Sequence, residues 1–327
     1  MLRRAFRIAG AALAALVLLA AGGAGWAWHH YRAPGPLVEQ AQLVIPRGGT
    51  EAIAAALRRA GVIDEPRLFT LATLATRDDG PLRAAEFAFP PGASMAQVLD
   101  ILRNARPVQR RVTIPEGLTA RQIAAILTRT EGLTGDLPAF AEGAVLPETY
   151  AYQFGDGRAA LLRRAEAAML QALSEAWSSR AEGLPLATPR EALVLASIVE
   201  RETSVAEERP RIAAVFLNRL RAGMPLQSDP TVAYAAADGA PLDRPLSRAD
   251  LDRDHPFNTY RVKGLPPAPI AAPGLAALRA VTRPAASDDL YFVADGSGGH
   301  AFARTLDEHN RNVARWREIE RRRGAGL

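Results

Sequence analysis

The sequence predicts an α+β protein in three parts: an N-terminal transmembrane helix, small strand–turn–helix modules, and a mainly helical domain with a loop-rich cleft. Three observations carry this. An uncharged apolar run extends from Ile8 to Trp28, an extended–turn–helix pattern recurs three times between Val44 and Leu127, and a nearly all-apolar helical stretch runs from Ala192 to Val199. The boundaries this implies are 1–32 for a cytoplasmic tip and membrane anchor, 33–107 for the α/β module, and 108–327 for the domain that carries the chemistry.

The chain has 327 residues, 48% of them hydrophobic, a formal net charge of +5 and no cysteine. Its length is ample for a buried core. The absence of cysteine excludes disulfides, thiolate catalysis and cysteine-type zinc sites, and is neutral about compartment. The basic residues are almost all arginine, scattered without the interleaved aromatics of a nucleic-acid surface, so no nucleic-acid partner is expected. Only Arg321, Arg322 and Arg323 cluster, as at a solvated helix end.

The first element follows from bilayer dimensions. About 20 apolar residues at ~1.5 Å each cross a ~30 Å hydrocarbon layer, whereas a cleavable signal has a shorter apolar core, although Ala21-Gly22-Gly23 leaves a cleavage site open. Arg3, Arg4 and Arg7 precede the run, Trp26 and Trp28 lie at its far end, and Arg32 follows. Positive charge before the span favours a cytoplasmic N-terminus, with all that follows on the outer side of an inner membrane. Ala33-Pro34-Gly35-Pro36 reads as a linker.

The modules come next. Val44-Ile45-Pro46-Arg47-Gly48 leads to Thr50, Phe87-Ala88-Phe89-Pro90-Pro91-Gly92 to Ser94, and Val112-Thr113-Ile114-Pro115-Glu116-Gly117 to Thr119. Each reads as a short strand, a Pro/Gly turn and a helix whose N-cap is the hydroxyl residue. Such units loosely resemble LysM-like glycan-binding modules; a plain spacer fits the pattern equally well. Residues 142–154 read as a structured loop, and a long amphipathic helix is expected over Ala159–Ser179.

Thr188-Pro189 starts the next helix well, with an N-cap followed by proline. It ends in Glu200 and Glu202, which point about 200° apart and therefore do not form a pair. Glu202 extends the stripe of Leu195, Ile198 and Val199, whereas Glu200 falls on the side of Leu193, Ala196 and Ser197. A carboxylic acid at the edge of an apolar stripe is pushed towards neutrality, as a general acid requires. The bland alternative pairs Glu202 with Arg209 or Arg211, and Glu200 with Arg201 or Arg190. Beyond a further helix over Ile212–Leu220, loops rich in amide, hydroxyl, Gly and aromatic residues suit a carbohydrate cleft. Asp229-Pro230 and Asp295-Gly296 also read as simple turns. The histidines show no metal-ligand spacing, and no cofactor motif is present.

These segments in order, Ala196-Ser197-Ile198-Val199-Glu200-Arg201-Glu202-Thr203, Val215-Phe216-Leu217-Asn218-Arg219-Leu220, Leu226-Gln227-Ser228-Asp229-Pro230-Thr231-Val232, Asn258-Thr259-Tyr260, Gly264-Leu265-Pro266-Pro267 and Leu290 to His300, closely resemble the endolytic murein transglycosylases of the YceG-like family. Phe257, Ala268 and Ala272 depart from the family pattern. The resemblance implies Glu202 as the catalytic acid/base, since the family's glutamate directly precedes the threonine. It implies Asn218, Gln227, Asp229, Thr231, Asn258, Tyr260 and His300 as substrate-binding residues. Asp229 remains open as a turn former, and His300 as a structural loop residue.

The expected activity is lytic cleavage of the bond between N-acetylmuramic acid and N-acetylglucosamine within glycan strands, with formation of 1,6-anhydro ends. The expected setting is the inner membrane, with peptidoglycan as substrate and the cell-wall synthesis machinery as partner. Two other readings stay open: a muramidase-type hydrolase using Asp229 or Asp254, and a tethered glycan-binding scaffold.

Overall fold

The computed structural model describes the backbone of residues 2–324, and within its first helix the side chains of Arg7 and of residues 13–32. The chain divides into two compact units, one comprising residues up to Arg110 with Tyr152–Gly155, the other Arg111–Ala151 with the remainder. The expected mixture of helices and small sheets is present.

The first unit opens with α1 (Leu2–Arg32), followed by β1 (Ala41–Val44), α2 (Thr50–Arg59), α3 (Pro66–Ala75), β2 (Glu86–Phe89) and α4 (Met95–Asn104). Strands β1 and β2 pair antiparallel, with Leu43 opposite Phe87 and Ala41 opposite Phe89. Residues two apart share a face of a strand. Phe87 and Phe89 are accordingly both fully buried, in a core with Leu57, Phe69, Val98, Leu99 and Leu102. Burying side chains of this size contributes roughly 1.5–3 kcal/mol each. This arrangement does not by itself show the LysM-like module expected from the sequence.

Among the described residues no helix is long and apolar enough to cross a membrane. The anchor expected over Ile8–Trp28 is therefore not shown. The side chains of Ile8, Ala9, Ala11 and Ala12 within it, and of Arg3 and Arg4 ahead of it, lie outside the described residues.

The second unit contains β3 (Arg110–Thr113) and β4 (Thr149–Tyr152) except for Arg110 and Tyr152, and α5 (Ala120–Arg129), α6 (Arg158–Ser178), α7 (Pro189–Glu202), α8 (Arg209–Arg221), α9 (Asp229–Ala237), α10 (Arg248–Asp252), α11 (Leu275–Thr282), β5 (Tyr291–Ala294), β6 (His300–Ala303) and α12 (Leu306–Gly324). Helix α7 packs against α6, α8, α9 and α11. Its residues from Val194 to Glu200 are all buried, as an all-apolar helix requires. Ser197 tolerates that burial because its hydroxyl donates to the carbonyl of Val194 (2.7 Å) and accepts the Ile270 N–H (3.0 Å). Gly143 (φ +72°) lies under Pro269, where a Cβ would meet the proline ring at 2.8 Å.

Four expectations need correction. The loop expected over 142–154 contains strand β4 (Thr149–Tyr152). Thr50 is not an N-cap: Gly49 occupies that position and Thr50 is the first helical residue of α2. Asp229-Pro230 opens α9 rather than forming a free turn, because proline is well placed in a helix's first turn. The segment from Leu290 to Phe302 is not loop: β5 and β6 form an antiparallel hairpin closed through Asp295-Gly296. An apolar run ending in Asp-Gly is a hairpin signal.

The three sequence repeats thus differ in capping. Ser94 and Gln97 form a reciprocal capping box on α4, and Thr119 and Gln122 another on α5. Ser94→Ala is expected to lower stability by about 1 kcal/mol, whereas Thr50→Ala stays within about 0.5 kcal/mol of wild type. Urea unfolding midpoints of the two variants check this.

Candidate active site

Glu200 and Glu202 end the same buried helix but meet opposite surroundings. Glu200 is 9% exposed; it accepts the Gly274 N–H (2.9 Å) and an Nη2–H of Arg209 (3.0 Å). Arg209 also lies 3.5 Å from Glu116. Burial pushes the Glu200 carboxyl up, while Gly274 and Arg209 oppose that push. Glu200 therefore ties the end of α7 to α8 and to the start of α11.

Glu202 takes part in none of the ion pairs among the described residues: Arg209 serves Glu200 and Arg211 serves Asp289 (2.7 Å). Its Oε1 accepts a hydrogen bond from the Ser228 hydroxyl at 2.5 Å. Burial raises its pKa to about 7; Asp229 adds to the rise, while Ser228 and Arg219 work against it. The side chain nonetheless keeps part of its surface open to solvent. It is deep enough to be poorly hydrated and open enough to meet a ligand, the condition under which a carboxylic acid holds its proton near neutral pH.

The segment facing Glu202 is held by a second layer of hydrogen bonds. Gln227 adopts a left-handed conformation (φ +51°), which a non-glycine residue keeps only when its neighbours enforce it. Here they do: the Gln227 N–H donates to the Thr259 carbonyl (3.1 Å) and the Ser228 N–H to the Thr259 hydroxyl (2.9 Å). The Thr231 hydroxyl donates to the Ser228 carbonyl (2.7 Å). Asn258, fully buried, donates its amide to the carbonyls of Leu251 (2.9 Å) and Arg253 (2.8 Å) and accepts the Tyr260 N–H (3.0 Å). Tyr260 in turn donates its hydroxyl to Asp229 Oδ1 (2.6 Å). Burial and the Asp229 charge raise the Tyr260 pKa, so it remains a donor.

Arg219 completes the electrostatics. It is buried, donating from Nε to the Leu290 carbonyl and from Nη1 to the Leu226 carbonyl (2.7 Å each). Its charge favours the ionised form of Glu202. Such an arginine can offset a carboxylate that has given up its proton without forming a permanent pair with it.

Of the residues expected from the sequence, Glu202, Gln227, Asp229 and Tyr260 come together. Thr231 and Asn258 have no accessible surface and act behind them. Asn218 spends its amide on the carbonyls of Ser287 (2.8 Å) and Asp289 (3.0 Å), bracing that loop. His300 pairs through Nδ1 with Glu208 (2.7 Å), which also accepts from the Thr203 hydroxyl (3.4 Å). Ser228, Arg219 and Thr259 were passed over by sequence reasoning. Each sits beside a residue that was singled out, and only tertiary contact distinguishes it, although an arginine inside the apolar pattern of α8 was a signal.

The profile of the YceG-like family matches residues 43–315. The chain is 38% identical over 170 residues to the endolytic murein transglycosylase of Bacillus subtilis, covering 52% of this chain and 46% of that protein. It is 30% identical over 321 residues to the endolytic murein transglycosylase of Streptococcus pneumoniae, covering 83% of this chain and 57% of that one. The chain thus spans about half the length of the curated relatives it matches. The crystal structure of a YceG-like protein from Listeria monocytogenes superposes with a TM-score of 0.52 at 26% identity, covering 84% of this chain and 99% of that one. With the profile match running through both compact units and the helix that ends in Glu202, this chain belongs to the YceG-like family.

Proposed function

We propose that the protein is a peptidoglycan lytic transglycosylase that cuts within glycan strands, with Glu202 as its only acid/base. The observation that carries this is a buried carboxyl, raised to a pKa of about 7 and in no ion pair among the described residues, that accepts the Ser228 hydroxyl from the segment facing it. The activity for which the Bacillus subtilis and Streptococcus pneumoniae relatives are named agrees with it.

Protonated Glu202 donates to the glycosidic oxygen between N-acetylmuramic acid and N-acetylglucosamine, and the C1–O bond breaks with an oxocarbenium-like centre at C1. The carboxylate so formed takes the proton of the muramoyl 6-hydroxyl, whose oxygen bonds to C1 of its own ring. Atoms balance without water, and the product is a 1,6-anhydro end. An internal nucleophile is already in place, so no second carboxylate is needed to activate water. Gln227 and Tyr260 border the reacting region, and Arg219 offsets the transient carboxylate.

The inner-membrane anchor over Ile8–Trp28, with the remainder of the chain in the periplasm, belongs to the same proposal and is supported by sequence pattern: arginines before an apolar run and tryptophans at its end. Exposed Leu13, Leu16, Val17, Leu18 and Leu19 leave α1 with an unpartnered apolar surface that suits such a role. Membrane placement would bring the site close to newly made strands and to the synthesis machinery.

Glu202→Gln is expected to lower kcat on uncrosslinked glycan by roughly 10²–10⁴-fold. Mass analysis of the wild-type digest should show anhydro ends; products heavier by one water would replace the lyase reading with hydrolysis. The same variant tests the burial argument. A carboxyl whose pKa rises from 4.5 to about 7 on folding contributes most below pH 4.5 and loses that contribution as pH rises through 7. Glu202→Gln should therefore melt higher than wild type at pH 8, with no such gain at pH 4.

The acid form is the active form, so activity falls above about pH 7. Ser228→Ala removes a bond that favours the carboxylate and should move this falling limb to higher pH. Asp229→Asn removes a neighbouring negative charge and should move it lower. If Asp229→Asn instead abolishes turnover at every pH, Asp229 is a second catalytic carboxylate.

A further inference from the structure

A cavity of about 190 Å³ lies between α5, the end of α7 and α9, lined by Thr119, Gln122, Arg201, Pro230, Tyr234 and Arg244 among others. Two of its lining residues are sequence neighbours of the site described above: Arg201 directly precedes Glu202, and Pro230 directly follows Asp229. The charges around it are not evenly satisfied. Arg244 holds Asp250 through two nitrogens, at 2.6 and 2.9 Å, and is neutralised there. The nearby Glu142 is committed to the Ala120 N–H (2.8 Å) and the Tyr234 hydroxyl (3.3 Å). Arg201 is exposed, donates one bond to the Gly117 carbonyl (3.2 Å), and forms no ion pair among the described residues. Gln122 uses its Oε1 to cap α5, and its amide NH₂ has no described partner.

An exposed guanidinium with unused donors, beside an uncommitted amide, recognises a carboxylate. Resting on the peptidoglycan reading above, we propose that this cavity receives a free carboxylate of the peptide stem, with Arg201 as its counter-charge and Gln122 as a second donor. The glycan sugars are otherwise uncharged, and the stem leaves C3 of the same muramoyl ring whose C1 reacts. An anion placed there would carry the stem along the α7–α9 wall while the ring stays at Glu202. Arg201 is thus a specificity-determining residue that separates stem-bearing strands from denuded ones.

The test measures KM of the full chain on three uncrosslinked strands: stems intact, stems removed by an amidase with the lactyl carboxylate this exposes then converted to its amide, and stems kept with their carboxylates converted to amides. Wild type is expected to show a KM for intact stems roughly 3- to 10-fold below that for denuded strands, with amidated stems behaving as denuded. Arg201→Gln is expected to bring the ratio of the two KM values to about one, and Arg201→Lys to keep part of it. The proposal is overturned if wild type shows no preference, if amidation has no effect, or if Arg201→Gln changes both KM values by the same factor. The first two outcomes need no variant, so a misfolded mutant does not obscure them. Failure of the wild type to cut any strand sinks the proposed function itself and is distinguishable from cutting all three equally.

Discussion

The burial of α7 among α6, α8, α9 and α11 fixes where its last residue goes. A helix with Leu195, Ile198 and Val199 wholly enclosed cannot rotate or slide without exposing apolar surface or forcing overlap in a close-packed interior. Glu202 is one turn beyond that enclosed stretch, so its position is inherited from the core. The tie from Ser197 to Ile270 and the tie from Glu200 to Gly274 and Arg209 act in the same direction. They pin the helix at its middle and at its end, leaving the final carboxyl as the one acidic group there without a structural duty.

Much of this was legible in the sequence, for reasons that differ from residue to residue. The start of α7 at Thr188-Pro189 follows from local capping chemistry, and the Thr188 hydroxyl does accept the Glu191 N–H. The separation of the two glutamates follows from helical periodicity. An apolar face set against another side of the helix does not by itself single out Glu202, however. Glu200 is buried and Glu202 only partly exposed; what separates them is that Arg209 compensates one, while a hydroxyl, an aspartate and an arginine outside hydrogen-bond contact surround the other. That distinction depends on which distant segments arrive at each face, which local pattern does not encode.

The same limit explains the reassigned residues. Asn258 and Thr231 have the chemistry of sugar-binding groups, but the fold spends that chemistry on carbonyls and on a neighbouring threonine. Short strands were harder still. Thr149–Tyr152 and the 291–303 hairpin are four-residue strands whose apolar and aromatic residues look equally natural in loops. The repeats show the converse error: near-identical wording in sequence conceals a glycine cap in one copy and hydroxyl capping boxes in the others.

The left-handed turn at Gln227 separates two kinds of constraint. Glu202 rides on a core helix, and its burial there raises its proton affinity, but Ser228 and Asp229, which adjust that affinity, ride on a separate segment clamped mainly by backbone and threonine contacts. Exchange of the exposed Asp229 side chain can therefore shift the proton affinity of Glu202 without repacking the core. On the proposed function, adaptation to a different working pH is to be sought at Asp229 and its neighbours, not in the helix that bears Glu202.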